Sequence, residues 1–157
     1  MGKVQSTFIN VFPGAISRSV DDVVITLANT GESAIKFGDP VFLDATNKGG
    51  KAWSNGAGMS TFVGFATRIG VKTPDTYGGN EGQYNPGDIM SVIVSGSVCV
   101  AVDSGTVAMG APVYLNASTG KVTATSTDNT QLTNCQFRAN VGANDCAEVV
   151  LTKRNIQ

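Results

Sequence analysis

Apolar residues are grouped along the chain in short β-branched runs bounded by Gly, Pro, Asn or Asp. Val23-Val24-Ile25-Thr26-Leu27 is the first run and the stretch from Val92 to Val102 is the longest. Such runs suit pleated, half-buried surfaces, and their flanking residues supply turn conformations, so the pattern predicts short strands joined by tight turns. Gly96 interrupts the longest run, which predicts a bulge or sharp bend in a strand that crosses the core. Before Val23 the chain is irregular, with Pro13-Gly14, Arg18-Ser19 and Asp21-Asp22. Residues 1–30 therefore read as an N-terminal arm and a lead-in strand, and 31–157 as a single β-barrel domain.

Within that domain the chain repeats. Ile35-Lys36-Phe37-Gly38-Asp39-Pro40-Val41-Phe42-Leu43-Asp44-Ala45 aligns, 72 positions on, with Val107-Ala108-Met109-Gly110-Ala111-Pro112-Val113-Tyr114-Leu115-Asn116-Ala117. The same offset pairs Phe65 with Phe137 and Gly70 with Gly142, and an offset of 57 pairs Asp88–Val94 with Asp145–Leu151. The difference, 72 − 57 = 15, assigns an insertion to the first copy at about 71–86. The copies thus span 35–94 and 107–151. Neither can bury an apolar face alone, so the expected fold is all-β, a compact barrel or sandwich built from two repeated halves.

Composition sharpens this picture. Nineteen glycines fit a turn-rich chain, and a net charge of −1 with 15% charged residues provides no basic surface for nucleic acid. The N-terminus lacks the apolar core of a signal peptide and no apolar run is long enough to span a bilayer, which points to a soluble protein made in the cytoplasm. Cys99, Cys135 and Cys146 lack C-x-x-C spacing and read as reduced thiols. Histidine is absent, which removes the commonest general base and the commonest transition-metal ligand. No metal site, cofactor site or catalytic residue is expected.

Each residue that suggests chemistry also has a plainer reading. Asp88 and Asp145 stand just before strands, where Asp stabilises turns. Cys135 and Cys146 align with Val63 and Ile89, as small core residues would. Gly49-Gly50-Lys51 and Gly120-Lys121 lack the rest of a phosphate loop. Asn116-Ala117-Ser118 reads as a hairpin turn, as does Asp44-Ala45-Thr46.

Contact with another protein is the remaining kind of site. Phe8, Phe12, Pro13 and Arg18 lie in the arm. Trp53, the only tryptophan, lies in a polar loop, either as an anchor for a partner or folded back on the core. The insertion is polar and glycine-rich and carries Tyr77 and Tyr84, residues that offer contact area at low entropic cost.

Five ordered stretches support a resemblance: Phe12–Arg18, Ile35–Val41, Val63–Arg68, Tyr84–Val92 and Gly110–Tyr114. Their order and spacing resemble the structural cement, or head-decoration, proteins of tailed bacteriophages over nearly the whole chain. The resemblance implies a β-rich, non-enzymatic protein of the virion, commonly a homotrimer. It would sit on the outer capsid surface between major capsid protein subunits and brace the shell against internal DNA pressure, without cofactor, nucleic acid or membrane. The alternative is a carbohydrate-binding β-module that stacks sugars on Trp53, Tyr77 and Tyr84.

Overall fold

The computed structural model describes residues 13–54, 59–68, 82–138 and 146–152, with the backbone alone for 18–21. Strands dominate: β1 Ile16–Ala28, β2 Ile35–Lys36, β3 Pro40–Asp44, β4 Gly49–Lys51, β5 Phe62–Ala66, β6 Gln83–Tyr84, β7 Ile89–Ala101, β8 Pro112–Asn116, β9 Val122–Thr123, β10 Asn129–Phe137 and β11 Cys146–Leu151. A 3-10 turn at Met59–Thr61 is the one helical element among the described residues.

All strands except the β2–β6 pair join one curled sheet, in the order β4-β3-β5-β7-β11-β10-β8-β9, with β1 also paired to β7. The long β7 runs unbroken through Gly96 and serves both halves. Residues 89–94 lie between β5 and β1, and residues 96–101 pair with β11. Each half then closes through a parallel bridge, Asn29 to Gly50 in the first and Val102 to Val122 in the second. The bend expected at Gly96 coincides with register shifts in β1, where the Asp22 carboxylate occupies the space a Cβ at Gly96 would take.

The pairing of the two halves matches almost bond for bond. Leu43 opposes Gly50 as Leu115 opposes Val122. Gly38 and Gly110 take left-handed φ of 83° and 79° and donate N–H to Ala66 and Phe137. In the β3–β4 turn, Asp44 Oδ1 accepts the Asn47 N–H at 3.4 Å; in the β8–β9 turn, Asn116 Oδ1 accepts the Thr119 N–H at 3.1 Å. Both are side-chain mimics of a backbone turn.

One expected correspondence differs. Pro40 opposes Phe65 while Pro112 opposes Gln136, so the structural counterpart of Phe65 is Gln136, and Phe137 matches Ala66. The cause is a larger bulge in β10. Between the partners of Tyr114 and Pro112 the chain advances from Gln131 to Gln136; between those of Phe42 and Pro40 it advances only from Phe62 to Phe65. Cys135 therefore has Gly64, and not Val63, as its counterpart in the first half. With β7 and β11 still offset by 57, the first half carries 71 − 57 = 14 extra residues after Ala66. Gly70 and Gly142 are outside the described residues.

This shift decides the packing. Inward residues of the first half, among them Val41, Ala66, Met90, Val92 and Val94, form one apolar cluster. Their counterparts Val113, Phe137, Ala147, Val149 and Leu151 belong to the other. That second cluster also takes in Phe42, Phe62, Phe65 and Ile93 from the outer face of the first half. Phe62 meets Phe42 and Phe65 edge-on, at centroid distances of 6.0 and 5.3 Å. On the second half the matching outer positions are Tyr114, Gln131, Gln136 and Val150, exposed or half-buried. The halves share a pairing scheme, but only the first turns an apolar outer face onto its neighbour. Burying each ring contributes roughly 1.5–3 kcal/mol.

Candidate interaction surface

The residues picked out by sequence end in different places. Tyr84 is core. It is 4% exposed, pairs in β6 with Ile35 of β2, donates its phenol O–H to the Thr67 carbonyl at 2.7 Å and meets Phe37 edge-on at 5.2 Å. It presents no face for a partner or a sugar, because its strand is folded over the Ile35–Phe37 corner. Asn29, 1% exposed, supports this corner by donating its amide to the carbonyls of Ser33 and Tyr84. No repeat signal marks Asn29. Trp53 is half-buried against the larger cluster and rests on Gly120, so it folds back onto the second half. Pro13 is half-buried, and the Gly14 next to it is tied to Cys99 and Arg68 by backbone bonds of 2.8 Å. Phe8, Phe12, Tyr77 and the side chain of Arg18 are outside the described residues.

The groups that suggested chemistry are structural. Asp88 Oδ2 accepts the Asn85 N–H at 2.6 Å and shapes the turn into β7. Asp145 is outside the described residues. Gly49 and Gly50 lie in β4, where a Cβ would run into Thr30 and Met90 respectively, so their role is close packing. Among the described residues no group of three or more Cys, Asp or Glu side chains is placed to hold a metal ion.

The three cysteines are buried. Burial pushes the Cys99 thiol up to about 11, helped by the nearby Glu148 and Cys146 charges, and pushes Cys135 up to about 12. Thiolate is the reactive form, so native protein at pH 8 should resist an aromatic disulfide reagent and release all three thiols only in urea. Prompt labelling of the native chain would contradict this placement.

Among the described residues three large apolar side chains are exposed. Leu43 is 39% exposed, Ile89 63% and Met109 79%. Their counterparts are covered: Leu115 and Cys146 are buried, and Phe37 packs beneath Tyr84. Only comparison of the two halves in three dimensions reveals this asymmetry. At the seam between the halves a cleft of about 180 Å³ opens between Ile35, Asp39, Pro40, Trp53, Gly120 and Lys121. Burial raises the Asp39 carboxyl above the usual range, opposed by the Lys36 N–H and by the Lys36 and Lys121 charges.

Among solved structures, a chain from the capsid of Myoviridae phage XM1 superposes with a TM-score of 0.75 at 21% identity, covering 97% of this chain and 96% of that one. The head fibre gp8.5 N base of bacteriophage phi29 matches with a TM-score of 0.45 at 11% identity, over 87% of this chain and 99% of that one. No curated protein matches. The family model for the structural cement protein (E217 gp24/Pam3 gp6) matches residues 3–152. The chain therefore belongs to the phage structural cement protein family, and its role is structural.

Proposed function

We propose that this protein binds the outer surface of a phage head as a homotrimer, bridging neighbouring major capsid protein subunits and stabilising the shell. The observation that carries this reading is the family match over residues 3–152. The physical logic is linkage. A protein that binds only the assembled shell stabilises it by about 2.7 kcal/mol per site when present at about 100 times its dissociation constant. Three modest contacts on one trimer combine into tight attachment. Ile89 and Met109, the most exposed large apolar side chains among the described residues, are offered as contact residues, together with Phe8, Phe12, Pro13, Arg18 and Tyr77.

Purified chain should have a solution mass about three times 16.2 kDa, sediment with undecorated heads and raise the temperature at which they release DNA. Met109→Asp with Ile89→Asp should leave the fold intact and weaken attachment at least about tenfold. A charge at a contact forfeits roughly 1.4 kcal/mol or more, and scarcely matters at a free surface. A folded chain that ignores heads would overturn the proposal.

A further inference from the structure

The two halves differ at one corner, and we propose that a second copy of this chain fills it, laying residues 8–12 of its N-terminal arm along Val107–Gly110. The first half shows what closes such a corner. There β6 pairs with β2, the Phe37 N–H donates to the Gly82 carbonyl at 2.8 Å, and Tyr84 lies edge-on over Phe37. Pro13 and Gly14 lie against Gly38, 2.9 Å from where its Cβ would stand. In the second half the matching stretch is Val107–Gly110, and neither cover is present among the described residues. Val107 and Ala108 pair with no described strand, and the Met109 N–H has no acceptor among the described residues. Met109 is 79% exposed, and no described residue lies within 4 Å of where a Gly110 Cβ would stand. β6 comes from the longer link of the first half and is no part of what the halves share.

The first half also indicates the occupant. Its cover is an extended segment that supplies a backbone carbonyl and an aromatic ring, which is the addition of a strand to an open edge. Phe8-Ile9-Asn10-Val11-Phe12 has that chemistry, with aromatic and β-branched residues in succession. This stretch leads into Pro13 and Gly14, which already close the first half's corner. Backbone bonds from Gly14 to Cys99 and from Arg68 to Gly14 fix that root, both at 2.8 Å. A contact that joins copies into a ring of three must use two different surfaces of the chain, a donor and an acceptor. The arm, rooted on the closed corner, and Val107–Gly110, the open one, are such a pair. The inference deepens the homotrimer reading given above and rests on it.

Two measurements on the full chain test it. By light scattering the wild type should have about three times 16.2 kDa, and Met109→Asp, whose side chain faces solvent within one copy, should raise the concentration needed for assembly at least tenfold. Separately, Asn10→Cys chains are mixed with Ala108→Cys chains and treated with a short bismaleimide, from which the three native thiols are protected by burial. The mixture should yield cross-linked pairs of chains well above either variant alone. A trimer that gives no such cross-link, or in which Met109→Asp assembles like wild type, would overturn this inference and leave the trimer reading standing. So would a chain carrying both cysteines that cross-links only within itself, since its own arm would then fill the corner. A wild type that stays monomeric would overturn both readings.

Discussion

Replacing Phe65 by alanine is expected to cost about 3–5 kcal/mol of folding stability, while Gln136→Ala stays within about 0.5 kcal/mol. The two residues occupy matching places, each opposite the proline that opens β3 or β8. Phe65 is fully buried in the cluster that joins the first half to the second, packed edge-on against Phe62. Truncating its ring removes apolar contact and leaves a cavity that the rigid sheet can close only in part. Gln136 faces outward and is exposed. A domain of ordinary stability has about 5–15 kcal/mol in hand, so the first change should move the urea midpoint by about a fifth or more of its value and the second should scarcely shift it. Equal losses in the two variants would mean that the outer faces of the halves are packed alike, contrary to the asymmetry described above.

Gly120→Ala should be nearly as damaging, at about 2–5 kcal/mol, for two reasons that add. Gly120 has φ of 71°, a region where a side chain costs about 1–2 kcal/mol. A Cβ there would also run into the Cβ and ring of Trp53, and overpacking of this kind costs about 1–3 kcal/mol. The control is built into the fold. Lys48 occupies the matching place in the β3–β4 turn with φ of 55°, where it is exposed. It carries the conformational strain without the clash. Lys48→Gly should be neutral or stabilising by up to about 1 kcal/mol. Trp53 emission should move to longer wavelength in Gly120→Ala as the indole is lifted from its seat, and should stay unchanged in Lys48→Gly. An unshifted spectrum with full stability in Gly120→Ala would show that Trp53 does not rest on this turn.

Much of the architecture is legible in residue order alone. The match of Ile35–Ala45 with Val107–Ala117, and the offset of 57 at the far end, correspond to hydrogen-bonded positions of the two halves. These stretches are short strands and turns, where local chemistry dictates conformation: a glycine with left-handed φ, a proline at the start of a strand, an Asp or Asn whose side chain mimics a backbone turn. The core placement of the cysteines is legible in the same way, whereas the close packing of Gly49 and Gly50 against Thr30 and Met90 emerges only from the fold.

Other features are set by tertiary structure. The bulge in β10 breaks the sequence register because two phenylalanines at the same offset look equivalent, and only strand pairing reveals that one opposes a proline while the other lies a residue further on. Tyr84 looks like a loop residue until β6 pairs with β2 and buries it, a contact between segments some fifty residues apart that no local pattern encodes. The cleft has the same origin. Asp39 and Trp53 of the first half and Lys121 of the second, far apart in sequence, line one cleft because the halves pack together through the larger apolar cluster. Residue order determined how each half pairs with itself, since that depends on local turn and strand chemistry. How the halves press together, and so which surface remains for a partner or a ligand, was decided by burial of apolar area, which depends on the whole folded chain.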